Sequence, residues 1–207
     1  FKYVFVVMLP PLYVVWVTFI VTGSSNAVNL TDGLDGLAAG LTAIAAITFA
    51  AFAYLFGRVD SSDYLKVFYL PGAGELAIFC ASLMGACIGF LWFNAHPAKV
   101  FMGDTGSLAI GGALGTVAIL LKAEFLLAII GAVFVAETLS VLLQTSVFKF
   151  RRWRFGLEYA QQHRLFRMAP LHHHFEKLGW AEPTVVTRFY ILGLLGALLA
   201  LSTLKIR

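Results

Sequence analysis

About six apolar runs, each long enough to cross a roughly 30 Å hydrocarbon layer, follow one another along the chain with short polar stretches between them. Runs of that length read as spanning helices, at about 3–22, 34–56, 75–94, 106–122, 125–148 and 185–204. Two or three such runs could hide in a large soluble core; six in 207 residues cannot. Only 13% of the residues are charged, against roughly 25% in an ordinary soluble domain. The expected fold is therefore an all-α integral membrane protein, with residues 1–207 forming one transmembrane domain. The start, Phe1-Lys2-Tyr3, has neither an initiator Met nor the pattern of a secretory signal, and reads as part of a longer protein.

Several features refine the helices. Pro10 and Pro11 are expected to kink the first or shift its start, because proline removes a backbone donor. Gly36 and Gly40 in the second run, and Gly111, Gly112 and Gly115 in the fourth, permit close helix approach, so these two are expected at the centre of the bundle. Cys80 and Cys87 share one apolar run without CxxC spacing, and read as small core residues rather than a disulfide or a zinc pair. Loop 57–74 reads as a small external cap or hairpin. No internal repeat of the transporter kind is present.

Basic residues set the orientation. The dense group Lys149, Arg151, Arg152, Arg154, Arg164 and Arg167 falls on the same side as Lys99, Lys177, Arg188 and all five histidines. That side is assigned to the cytoplasm, which puts loops 23–33, 95–105 and 149–184 there.

Those three loops carry the chemistry. Asp32 and Asp35, read as lying three apart at a helix start, share a face and could hold Mg²⁺ between protein and substrate phosphates. Gly33 and Gly36 would let the backbone approach a ligand. Helix capping by Thr31 or Asp32 is the plainer alternative, but it leaves Asp35 and Asn29 unexplained. Asp104, in Gly-Asp-Thr-Gly-Ser, could also be a cap. Its company of Asn94, His96, Lys99 and Phe101 suits a nucleobase beside a phosphate, through an amide edge and an aromatic face. For His172, His173 and His174, zinc ligation lacks a second ligand set. Contact with anionic phosphates suits them better, while Lys149–Arg154 fits lipid headgroups. Glu137 lies inside an apolar run, where function and a hydrogen-bonded structural role are equally open. Glu75 and Glu124 complement helix dipoles at external helix starts.

Together, the segments 26–37 (Asn-Ala-Val-Asn-Leu-Thr-Asp-Gly-Leu-Asp-Gly-Leu), 93–108 and 169–180 resemble the bacterial phospho-N-acetylmuramoyl-pentapeptide-transferase family, a branch of the polyprenyl-phosphate sugar-1-phosphate transferases. The first segment is shared across that superfamily; His-His-His-Phe-Glu is more specific to this branch. The resemblance implies transfer of phospho-MurNAc-pentapeptide from UDP-MurNAc-pentapeptide to undecaprenyl phosphate, giving lipid I and UMP in peptidoglycan synthesis, with Mg²⁺ as cofactor. It implies a multi-pass protein of the bacterial cytoplasmic (inner) membrane with its active site facing the cytoplasm. Membrane lipid is a further partner, nucleic acid is not, and a homodimer stays open.

Carried over by position, the resemblance makes Asp104 the Mg²⁺ ligand and sets Asn29 and Asp32 in the catalytic cleft. His172 and His173 would contact the phosphate or sugar part of the substrate. Asp35, Asn94 and Phe101 would line the uridine pocket, with His174 also among the substrate-binding residues. The family has about ten spanning helices of helical-span length, and its paired-aspartate motif lies in the N-terminal half. The resemblance begins near its fifth helix, so this segment alone is expected to be inactive and the complete protein active. Segment 151–164 looks longer than typical. Two rival readings remain. A transferase using UDP-N-acetylhexosamine is disfavoured by the triple histidine. A transporter would place its ionisable groups near mid-membrane, whereas here most sit at one face.

Overall fold

The computed structural model describes residues 10–205. Every element among them is a helix: α1 (Pro10–Thr31), α2 (Leu37–Phe56), α3 (Val59–Leu65), α4 (Ala73–Asn94), α5 (Gly103–Leu120), α6 (Glu124–Ile130), α7 (Ala132–Phe155), α8 (Leu157–Gln162), α9 (Leu171–Lys177) and α10 (Glu182–Ser202). Six of these, α1, α2, α4, α5, α7 and α10, are long and apolar enough to span a membrane.

The second apolar run does form the centre. Within its spanning window α2 is 72% buried, against 11% for α4. Phe49, Phe52 and Leu41 of α2 join Leu114 and Val117 of α5 and Phe189 of α10 in one core. The most extensive helix pairs are α2 with α4 and α1 with α5, and α10 packs on α2 and α6. The other faces of α4 and α10 expose Ile78, Trp92, Leu195 and Leu198, as suits lipid-facing helices. Cys80 and Cys87 are free and buried, in keeping with their reading as core residues.

Four expectations change. The first span was expected at 3–22, but the described helix runs Pro10–Thr31, so most of the expected loop 23–33 is helical; residues 3–9 lie outside the described part. Within that helix the polar side chains find acceptors on the preceding turn, Thr22 Oγ1 donating to the Thr18 carbonyl and Asn26 Nδ2 to the Thr22 carbonyl. Pro10 and Pro11 are the first two described residues of this helix. Asp32 and Asp35 therefore occupy the turn between α1 and α2 rather than a helix start, and no side chain caps α2.

The fifth span, expected as 125–148, divides at Gly131 into α6 and α7. The expected loop 149–184 is largely helical: α7 continues to Phe155, α8 and α9 follow, and the triple histidine stands on α9. Segment 57–74 holds the short helix α3, tied down by the Leu70 N–H donating to the Phe56 carbonyl at 2.8 Å.

Candidate active site

The C-terminal ends of α1 and α4 and the N-terminal ends of α2, α5 and α10 meet at one end of the bundle. Close packing of α1 on α5 begins the assembly. At Gly111 a Cβ would stand 2.6 Å from the Ser24 carbonyl oxygen and 2.8 Å from the Ser25 Cα, so only glycine admits this approach. Ser25 Oγ donates to the Leu108 carbonyl at 2.8 Å across the same seam.

One turn further on, Asn29 faces the start of α5. Its Nδ2 donates to Asp104 Oδ1 and to Ser107 Oγ, both at 3.0 Å. Ser107 Oγ in turn donates to the Gly103 carbonyl at 3.0 Å, which steadies the first turn of α5. Asp32 completes this group. Burial first, and then the neighbouring Asp104 carboxylate, raise its carboxyl above the ordinary aspartate value. Two carboxylates crowded at a helix start, with an amide fixing one of them, form an all-oxygen donor set that fits a small hard cation.

A second group lies across the turn. Asp35 Oδ2 accepts the Ala98 N–H at 2.9 Å and stands 3.1 Å from His96 Nδ1. Glu182, at the start of α10, accepts the Asp35 N–H through Oε1 at 2.7 Å and brings Oε2 to 3.4 Å from the same His96 nitrogen. Asn94 is buried and committed at both ends: Oδ1 accepts the Gly36 N–H at 3.1 Å, and Nδ2 donates to the Val100 carbonyl at 2.8 Å. It thereby links the turn to the segment carrying Phe101, a residue 73% exposed.

The three histidines of α9 face different partners. His172 is buried beside Glu137, with Nδ1 3.3 Å from Oε1. His173 Nδ1 lies 2.7 Å from Glu176 Oε2 and stays partly exposed. His174 Nδ1 accepts the Arg167 N–H at 3.1 Å, which leaves the ring proton on Nε2. Of the residues expected from sequence, Asn29, Asp32 and Asp104 thus form one group and Asp35 and Asn94 another. His172 brings α9 against the turn at Gly33.

Glu182 was missed in sequence, although a glutamate followed by proline at a helix start is a recognisable signal. Glu137 was left open. It accepts the Leu171 N–H at 2.6 Å and the His172 N–H at 3.1 Å, anchoring the start of α9. Beyond it, an apolar cleft of about 850 Å³ opens between α6, α7 and α10, with Arg188 stacked 4.0 Å from the Trp180 ring centroid at its edge.

Residues 1–122 match the family model described as glycosyl transferase family 4. Over 211 residues, covering all of this chain and 56% of the relative, the chain is 68% identical to the phospho-N-acetylmuramoyl-pentapeptide-transferase of Gemmatimonas aurantiaca. It is 61% identical over 188 residues to the protein of the same name from Methylacidiphilum infernorum, covering 91% of this chain and 49% of that one. For the Desulfotalea psychrophila relative, also so named, identity is 56% over 195 residues, covering 94% and 52%. The chain spans about half the length of the curated relatives it matches.

Proposed function

The chain belongs to glycosyl transferase family 4, and on that premise we propose that the whole protein transfers phospho-MurNAc-pentapeptide from UDP-MurNAc-pentapeptide to undecaprenyl phosphate, giving lipid I and UMP. The observation that carries this reading is the meeting of Asn29, Asp32 and Asp104 at one end of the bundle, in a chain so similar to transferases of that name.

In this reading Mg²⁺ is held by Asp104, with Asp32 beside it, and the ion supplies neutralisation of the charge on the transferring phosphate oxygens. The protein's own part is positioning. Asn29 fixes Asp104 by donating to Oδ1, and Ser107 holds Asn29 in turn. Phe101 offers an open ring face for the uracil, while Asn94 shapes the uridine pocket by bracing the Gly36 and Val100 backbone. Asp35, held by the Ala98 N–H, lines the same pocket. His174 presents its Nε2–H, and His173 with Glu176 supplies a second polar group on the substrate's phosphate and sugar side. The site end faces the cytoplasm of a bacterial inner membrane, where the positive residues collect.

The test uses the whole protein in detergent, with Mg²⁺-dependent UMP release as the readout. UMP should form with UDP-MurNAc-pentapeptide and undecaprenyl phosphate together, and not with UDP-GlcNAc. Equal turnover of the two nucleotide sugars would move the protein to the hexosamine branch. Asp104→Asn keeps an oxygen for Asn29 to bond, and should still cost about 100-fold or more in kcat by removing a charge that balances the phosphates. Retention of full Mg²⁺-dependent activity would remove Asp104 from the metal.

A further inference from the structure

Beneath the turn that carries Asp32 and Asp35 lies a buried acid–imidazole pair that the site chemistry leaves unused. Glu137 and His172 are both at 0% exposure. Each Glu137 oxygen already accepts a backbone N–H from the start of α9, Oε2 from Leu171 and Oε1 from His172. The carboxylate therefore fixes where α9 begins, and Oε1 also faces His172 Nδ1 at 3.3 Å. Among the described residues, neither ring nitrogen has a hydrogen-bond partner. The ring is therefore placed by the Glu137 carboxylate beside Nδ1 and by what packs against its surface.

Gly33 lies against one side of that ring, and the His173 ring against another, 4.2 Å away centroid to centroid. The three heavy atoms nearest a Cβ built on Gly33 all belong to the His172 ring: Nε2, then Cε1 at 3.0 Å and Cδ2 at 3.3 Å. The outer side of Gly33 is exposed, so at this point the turn is one residue thick above the ring. Gly33 directly follows Asp32, whose carboxyl feels the charge of Asp104. Asn29 of α1 holds Asp104 and Ser107 of α5 on one side, and on the other the turn that carries Asp32 rests its Gly33 on the His172 ring.

We propose that Glu137 and His172 are a buried positioning pair: Glu137 sets the start of α9 and the His172 ring, and that ring props Gly33, fixing the turn that carries Asp32 beside the start of α5 without either residue touching substrate. The consequence for catalysis rests on the proposed function; the steric coupling of Gly33 to His172 does not.

The experiment is a double-substitution cycle of Gly33→Ala and His172→Ala in the whole protein, read by thermal melting in detergent and by Mg²⁺-dependent UMP release. Gly33→Ala should lower the melting temperature, and the double variant should melt no lower than His172→Ala, because the three atoms nearest the new methyl have gone. Losses that add in melting would overturn the coupling, and this arm needs no active enzyme. In the activity arm, His172→Ala should raise the Mg²⁺ concentration for half-maximal rate by about 10–100-fold, the range for partners of a metal ligand. Glu137→Gln should do the same in part. A core variant far from the turn, Phe52→Leu, should lower the melting temperature while leaving the Mg²⁺ requirement unchanged. An unaltered Mg²⁺ requirement in His172→Ala would overturn the positioning role. So would a kcat loss from Gly33→Ala that multiplies undiminished onto that of His172→Ala. If the unsubstituted protein released no UMP, the proposed function would fail, and the melting cycle would still decide the pair.

Discussion

Asp32 is held where its charge is least comfortable. Burial and the Asp104 carboxylate both oppose its ionisation, so the folded protein keeps its proton to a higher pH than the unfolded chain, whose aspartate titrates near 3.8. Between the unfolded value and the raised folded one, the folded state binds more protons, and the contribution of Asp32 to stability falls as pH rises through that window. At neutral pH, without divalent cations, ionised Asp32 is a net cost. Asp32→Asn should therefore melt higher than the unsubstituted protein at pH 7.5 in EDTA, and the gap should narrow toward pH 4. Adding Mg²⁺ should stabilise the unsubstituted protein more than the variant, since only the former presents both charges. A lower melting point for Asp32→Asn in EDTA would mean that the carboxylate is satisfied by the protein itself. Asp32 and Asp104 could be picked out in sequence as acids at the ends of apolar runs. Their pairing could not, because it depends on Asn29 reaching across from α1 to α5.

The helices were legible wherever an apolar run ended in punctuation. Hydropathy found α2, α4 and α10 within a few residues of their ends. It cut α1 short because Thr22, Gly23, Ser24, Ser25 and Asn26 look like a loop when read without a partner. With α5 alongside, that stretch is the contact face, and small polar residues are what a close crossing needs. The break at Gly131 was invisible for the opposite reason: both sides of it are apolar. A matched pair of glycines tests the α1–α5 crossing. Gly111→Ala would drive its Cβ into the backbone of α1 at Ser24 and Ser25, which cannot turn aside as a side chain can. Overpacking of this kind costs about 1–3 kcal/mol. Its neighbour Gly112 has nothing within 4 Å of the same construction, and there alanine should be neutral or gain up to about 1 kcal/mol from helix propensity. Detergent melting of the two variants should separate them. Gly111→Ala should also weaken Mg²⁺-dependent turnover, because Asn29 rides on the same seam about one turn away. Equal melting of both variants would show that the helices can part at no cost.

At the scale of the whole molecule, the arrangement is polarised along the helix axes. The groups around Asp104, Asp35 and His173 collect at one end, together with the cations of α7–α9. The opposite end holds α3, with Arg58 binding Asp60 through Nε at 3.1 Å and Nη2 at 2.9 Å, and the α5–α6 turn. Sequence could assign each charged residue to an end because that needs only the order of spans. It could not foresee that Glu182, Glu137 and Gly33 would lie beside His96 and His172, since those contacts join segments far apart in the chain. The polarity leads to a prediction about orientation. The excess of arginine near the end of α7 should hold the site end inside the cell. Cysteines introduced singly at Asp63, exposed on α3, and at Arg154, exposed near the end of α7, report the two ends. Native Cys80 and Cys87 are buried in α4 and should contribute little background. In intact bacteria, an impermeant maleimide should label Asp63→Cys at once and Arg154→Cys only after permeabilisation. The reverse pattern would put the Asp32–Asp104 group outside the cell, away from cytoplasmic nucleotide sugars, and would remove the basis for a UDP-linked substrate whatever the fold.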